Sequence, residues 1–164
     1  MAYWLIKEEP GHYSWSDLVR DGRTEWNGIH NATALRNLRA MRVGEQAIYY
    51  HTGSERACVG LVEVVAPPRA DPNDVRGSWL VEVSPVRPLA RPVGLAEIRS
   101  DPAFERFDLV RIGRLTVVFV SDAHWARILE LGSTAAPVAA TGARAGRGRR
   151  TAPRKRRRAA RRRR

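Results

Sequence analysis

The feature that most constrains this chain is the point at which its apolar patterning stops. Every periodic apolar segment ends by Leu131, and from Gly132 onward the 164-residue sequence turns to Ala, Gly, Pro, Thr and Arg, with 13 Lys/Arg and no Asp or Glu. Such a composition cannot bury enough apolar surface to offset its ordering entropy. Residues 132–164 therefore read as a disordered Arg/Ala-rich basic tail, and residues 1–131 as one folded domain large enough for a real core. The net charge of +12 resides in the tail, which leaves the domain itself close to neutral.

Within the domain, the aromatic and branched run Ala2 to Lys7 predicts a strand that "EEPG" stops. Ser14, three residues before Asp17, predicts a capping box at the start of a short helix. Asn31 is a good N-cap for a second helix, with Leu35, Leu38 and Met41 on one side and Arg36, Arg39 and Arg42 on another. Three strand-like runs follow, Gln46 to His51, Ala57 to Val65 and Trp79 to Val86, the last with Trp79, Val81 and Val83 on one face and Glu82 on the other. The Pro-rich stretch "APPRADPNDVRGS" between the last two reads as a surface loop. A short helical piece at Leu95 to Arg99, a strand in "RLTVVFV", and a helix capped by Ser121 with a Trp125, Ile128, Leu129 stripe complete the pattern. Regular alternation of strand and helix is missing, which favours an α+β fold with a curved mixed sheet or small barrel.

Motifs for enzymatic chemistry are missing too: no HExxH, GxSxG, P-loop or paired cysteines, and His12, His30, His51 and His124 lack metal-ligand spacing. No metal or cofactor is expected. The single Cys58 rules out an internal disulfide and, inside an apolar strand, reads as a buried inert thiol. His51 and Cys58 could meet across a hairpin, but no third group is identifiable to orient them. The N-terminal apolar run is too short for a membrane span and lacks the preceding basic residues of a secretory signal. The expectation is a cytoplasmic monomer without a membrane partner, nucleoid-associated in a prokaryote and nuclear in a eukaryote.

Trp26 is more informative. It sits in "EWNG", where no strand or helix face defines its burial, so it is either a plug over the barrel end or a stacking wall for a flat ligand. The segments "YWLIKEEP", "YSWSDL", "WNGIHNATALRNLRAM", "VGEQAIYYHTG", "GLVEVV", "SWLVEVSPVRPL" and "RIGRLTVVFVSDAHWARIL" resemble, in order and spacing, the EVE domain. That resemblance implies a PUA-like mixed β-barrel with packed helices, related to YTH readers of methylated RNA. It also implies a pocket for a modified base, lined here by Lys7, Glu8, Glu9, Trp26, Asn27, Gly28, His30, Asn31, His51 and Thr52, with Trp26 as its wall.

Two positions depart from the family's usual K-S-E-P and W-D-G-V-R-N. Glu8 replaces a serine, and an ionised glutamate only accepts hydrogen bonds, so it would favour an amino-bearing edge such as cytosine N4. Asn27, Ile29 and His30 alter the second motif, and His30 gives up the permanent charge of an arginine. For the backbone, Arg36 and Arg39 on the helix and Arg154, Lys155, Arg156, Arg157 and Arg158 in the tail are candidate phosphate ligands. The expected function is a non-enzymatic reader of DNA or RNA carrying a modified base, 5-substituted cytosine favoured. The rivals are a DNA-packing protein acting through its tail and an enzyme acting on a modified base through His51 or Glu9.

Overall fold

The computed structural model describes residues 1–133; the expectations for the rest of the basic tail lie outside the described residues. Six strands form one mixed sheet in the order β2-β5-β4-β3-β1-β6. β1 (Tyr3–Glu8) runs parallel to β3 (Gln46–His51), with Tyr3 opposite Gln46 and Glu8 opposite His51. The other pairings are antiparallel: β6 (Val117–Val120) on β1, β4 (Ala57–Ala70) on β3, β5 (Trp79–Gly94) on β4, and β2 (Thr24–Trp26) on β5. The parallel pair needs a crossover, which α1 (Trp15–Asp21), β2 and α2 (Ala32–Ala40) supply.

The caps behave as their chemistry requires. Asp17 N–H donates to Ser14 Oγ at 3.1 Å and Ser14 N–H donates to Asp17 Oδ2 at 2.8 Å, closing the capping box of α1. Asn31 Oδ1 accepts from Ala34 N–H at 3.0 Å to start α2, in which Leu38 is buried, with Met41 buried at its C-cap. Ser121 Oγ accepts from His124 N–H at 3.2 Å ahead of α5 (Asp122–Ser133), whose Trp125 and Ile128 are buried while Leu129 is half-buried.

The sheet is strongly curled. Nine-residue α2 touches β4, β5 and β6, strands near opposite ends of the sheet order. At about 1.5 Å per residue the helix is far too short to reach across six flat strands some 4.8 Å apart. α5 does the same elsewhere, packing on β5 while Trp125 stacks on Tyr3 of β1 at 4.2 Å. The result is the PUA-like α+β architecture, with Leu5, Ile6, Ile48, Tyr49, Val62, Val83 and Val118 fully buried at its centre.

Two strands run further than expected. β4 continues through Pro67 and Pro68 to Ala70, and β5 continues through Pro85, Pro88 and Pro92 to Gly94, so only eight residues, 71–78, connect them. Proline removes a ladder donor, and the ladder adapts by shifting register between Cys58 and Gly60, Leu61 and Val62, Val64 and Ala66, and Ala66 and Arg69. Those irregularities are also what bends the hairpin around the core. α3 (Leu95–Ser100) matches expectation, whereas the 3-10 turn Pro102–Phe104 and α4 (Asp108–Arg111) carry no apolar periodicity that would signal them. They bury Phe104, Phe107 and Leu109 under α3 and α5.

Candidate nucleic-acid interface

The parallel pairing of β1 with β3 delivers one group of candidate residues to a common end. Glu8 C=O accepts from Thr52 N–H at 2.9 Å, and the Glu9 carboxylate accepts from Thr52 Oγ1–H at 3.2 Å. Gly53, at φ 73°, occupies backbone that favours glycine, and a Cβ there would displace the Glu9 carboxylate, whose Oε2 would lie 2.7 Å away. Glu8 folds back so that its Oε1 accepts from Glu9 N–H at 3.1 Å, and its charge helps push the buried Tyr49 phenol above the ordinary range, after the larger effect of burial. His51 is 6% exposed and spoken for on both ring nitrogens: Nε2 accepts from Trp15 N–H at 3.0 Å, which leaves the Nδ1 proton for Glu55 at 2.6 Å. That is the neutral tautomer.

Lys7 is the exception in this group. It is only 9% exposed, its Nζ donates to the Gly113 carbonyl at 3.0 Å, and burial holds its pKa below the ordinary lysine value. Lys7 Nζ also lies 5.8 Å from the Tyr50 ring centroid. Lys7, Tyr50, Thr52, Gly53, Arg56, Leu95, Arg99, Leu109 and Gly113 line a cavity of about 220 Å³. Arg56, Arg99, Leu109 and Gly113 come from the β3–β4 turn, α3, α4 and the turn after α4, so no single segment announces the cavity.

Residues 26–31 form a second group. Trp26 pairs with Val81 at the β2 edge, its side chain is buried, and its Nε1 has no hydrogen-bond partner. Asn27, Gly28 and His30 are exposed on the loop that follows or half-open to it, with Gly28 at φ 82°. The β4–β5 connection fastens this loop. Ser78 Oγ–H donates to the Ile29 carbonyl at 2.6 Å, His30 Nε2–H donates to Asp74 at 2.5 Å, and Arg76 donates to His30 Nδ1 at 3.1 Å. Asn31 is occupied as the α2 cap. The bridge between the two groups is Tyr13, whose carbonyl accepts from Tyr49 Oη–H at 2.9 Å and whose hydroxyl meets Asp21 and Thr24.

On α2, Arg36 is exposed, and the Arg39 guanidinium lies 4.5 Å from the Trp79 ring centroid. That stacking holds Arg39 at the surface with its outer face open. Cys58 lies opposite Tyr50 rather than His51, and burial pushes its thiol up to about 12, so it is no nucleophile at neutral pH. Among the described residues no group of three or more His, Cys, Asp or Glu could hold a metal ion, and no helix is long and apolar enough to cross a membrane.

Residues 2–131 match the EVE domain family. Thymocyte nuclear protein 1 from Homo sapiens is 31% identical over 126 residues, 60% of this chain and 56% of the human protein. The chain thus spans about half the length of the curated relatives it matches. Among solved structures, the crystal structure of Atu2648 from Agrobacterium tumefaciens is 32% identical with a TM-score of 0.77, covering 84% of this chain and 97% of that one. The crystal structure of human THYN1 in complex with 5-methylcytosine-containing DNA is 25% identical with a TM-score of 0.74, covering 82% of this chain and 99% of that chain.

Proposed function

The chain belongs to the EVE domain family, and from that premise we propose that it is a non-enzymatic reader that captures a 5-substituted cytosine of DNA or RNA. The observation that carries this reading is the likeness, across 99% of the human chain, to THYN1 bound to 5-methylcytosine DNA. Physical features of this chain support it. Trp26 Nε1 is a buried donor without a protein acceptor, a costly arrangement, and an acceptor on a ligand reaches it only once the cover of this 4% exposed ring opens. Trp26 is the proposed stacking wall, with Asn27, Gly28 and His30 at the rim; Lys7, Glu8, Glu9, His51 and Thr52 are the proposed polar lining, and Asn31 holds the loop to α2. The protein acts as a monomer, without cofactor or metal. Arg36, Arg39 and the tail residues Arg154, Lys155, Arg156, Arg157 and Arg158 hold the backbone without reading sequence.

Magnitudes bound the selectivity. Burying one methyl group contributes about 0.8 kcal/mol, roughly a fourfold preference. An unpaired buried acceptor costs about 1–3 kcal/mol. The expected ranking is therefore 5-methylcytosine over cytosine by about tenfold or less, with thymine and uracil rejected more strongly because O4 would face the Glu8 carboxylate. Calorimetry with single-stranded oligonucleotides differing at one base tests this, and equal affinity for thymine-bearing and cytosine-bearing strands overturns the role of Glu8.

A further inference from the structure

The cavity that Lys7 and Thr52 line, at one end of the proposed base site, carries more positive charge than reading a neutral base requires. Its cations are Lys7, Arg56 and Arg99, and no acidic side chain lines it. It opens onto a second groove of about 570 Å³ that shares Arg56, Leu95 and Arg99 with it. Two carboxylates lie just behind the lining and are hydrogen-bonded there: Glu9 to Thr52 of the cavity wall, and Glu55, at the wall of the second groove, to His51. Neither arginine has an ion-pair partner among the described residues, and both pull on the Tyr50 phenol electrostatically. Lys7 buries its ammonium against a neutral carbonyl rather than a carboxylate. A buried, unpaired cation is costly in isolation, and an anion delivered from outside is the natural offset.

The backbone supplies an independent sign. Arg56 has φ 43°, making it the one non-glycine residue among the described residues in the left-handed region. Leu95 N–H donates to the Arg56 carbonyl at 2.8 Å, pinning that conformation to the start of α3. Non-glycine residues held there are strained and cluster at binding sites. Here the strain places a guanidinium over the cavity beside Arg99. The Tyr50 hydroxyl, pushed up to about 12 mainly by burial, stays protonated and adds a neutral donor, while Leu95 and Leu109 thin out competing water.

We propose that Lys7, Arg56 and Arg99 form a phosphate subsite that holds one phosphodiester of the strand whose base is read. The choice of a phosphodiester rests on the reader function above; a phosphate group as the ligand does not. Two arginine forks and an ammonium suit a phosphate, and the charged lining presents donors rather than the mixed edges a base needs.

The test uses the full chain and an Arg56→Gln, Arg99→Gln double variant, both positions being exposed, with matched thermal melts as the folding control. The variant should bind single strands bearing 5-methylcytosine and cytosine more weakly by the same factor, about tenfold or more. Its slope of log affinity against log salt should flatten by about 0.7 for each phosphate it no longer neutralises. Replacing the single phosphodiester on one side of the variable base by a neutral methylphosphonate should weaken the natural protein and leave the double variant unaffected. Unchanged affinity and slope in the double variant overturn the subsite. Full displacement of the strand by inorganic phosphate at its own binding concentration would overturn the phosphodiester assignment in favour of free phosphate. Equal binding of cytosine and 5-methylcytosine together with a flattened slope supports the subsite while removing the base-reading function. If the double variant does not fold, the Arg99→Gln variant and the methylphosphonate series decide by the same criteria.

Discussion

Trp26 shows how a single side chain can carry two costs of opposite kind. Truncating it to Ala would open a cavity under β2 and cost about 3–5 kcal/mol, which would obscure any binding effect. Trp26→Phe is the sharper variant: it keeps a stacking ring but removes the orphaned Nε1 donor, so stability should change by less than about 1 kcal/mol while affinity for a 5-methylcytosine strand falls about two- to tenfold. Paired urea melts and calorimetry check both halves. Glu8→Ser should relax the rejection of thymine and leave the methyl preference nearly intact. Glu45 provides the contrasting case of a satisfied buried group. Burial alone would raise its pKa, but hydrogen bonds from Trp4 Nε1 (2.8 Å), Ala2 N (3.1 Å) and Arg42 N (3.0 Å) more than reverse this and the net shift is downward. A carboxylate depressed on folding stabilises the protein above its unfolded pKa, and that contribution is lost as pH falls through the lower, folded value. Glu45→Ala should therefore cost about 2–3 kcal/mol at neutral pH, and the deficit relative to the natural protein should shrink in acid melts below about pH 4.

At the scale of elements, the position of α1 is fixed by one close approach. A Cβ on Gly60 in β4 would lie 2.5 Å from the half-buried Trp15 ring, which packs on Tyr49 and would have to shift with its helix. Gly60→Ala should cost about 1–3 kcal/mol by displacing α1, with rupture of the Trp15 to His51 hydrogen bond visible as a shifted His51 ring resonance. Helices α1, α2 and α5 are legible in the sequence because their signals are local: Ser14 with Asp17, Asn31 and Ser121 each cap within three residues. β4 and β5 are legible only in part, since Pro67, Pro68, Pro85, Pro88 and Pro92 signal a loop to any local reading and are accommodated only by register shifts in a partner strand. The site divides the same way. Lys7, Glu9 and Thr52 can be named from short motifs, while Arg56, Arg99 and Leu109 meet because of topology, from segments with no shared pattern. The burial of Trp26 follows from its pairing with Val81 of β5, far outside any window around "EWNG".

For the whole molecule, the near-neutral domain and the 13 cations beyond it divide the proposed binding into separable parts. α5 runs to Ser133 and Gly132 packs on Leu89, so truncation belongs after Ser133. The truncated chain should melt within a few degrees of the full one. Its salt slope on duplex DNA should flatten by about 0.9 for each phosphate that the tail had neutralised, and an unchanged slope would take the tail out of backbone binding. The sheet order has a further consequence, one of timing. β1 lies between β3 and β6, with Tyr3 opposite Val120, so the first strand of this domain to be synthesised gains its second neighbour only near the end of the domain's synthesis. Such a nascent chain holds an open strand edge through most of its synthesis, and closure at long sequence separation is slow. The last strand, β6, is therefore the latch of the fold, and any pause in translation ahead of it prolongs the interval in which β1 is open to wrong partners.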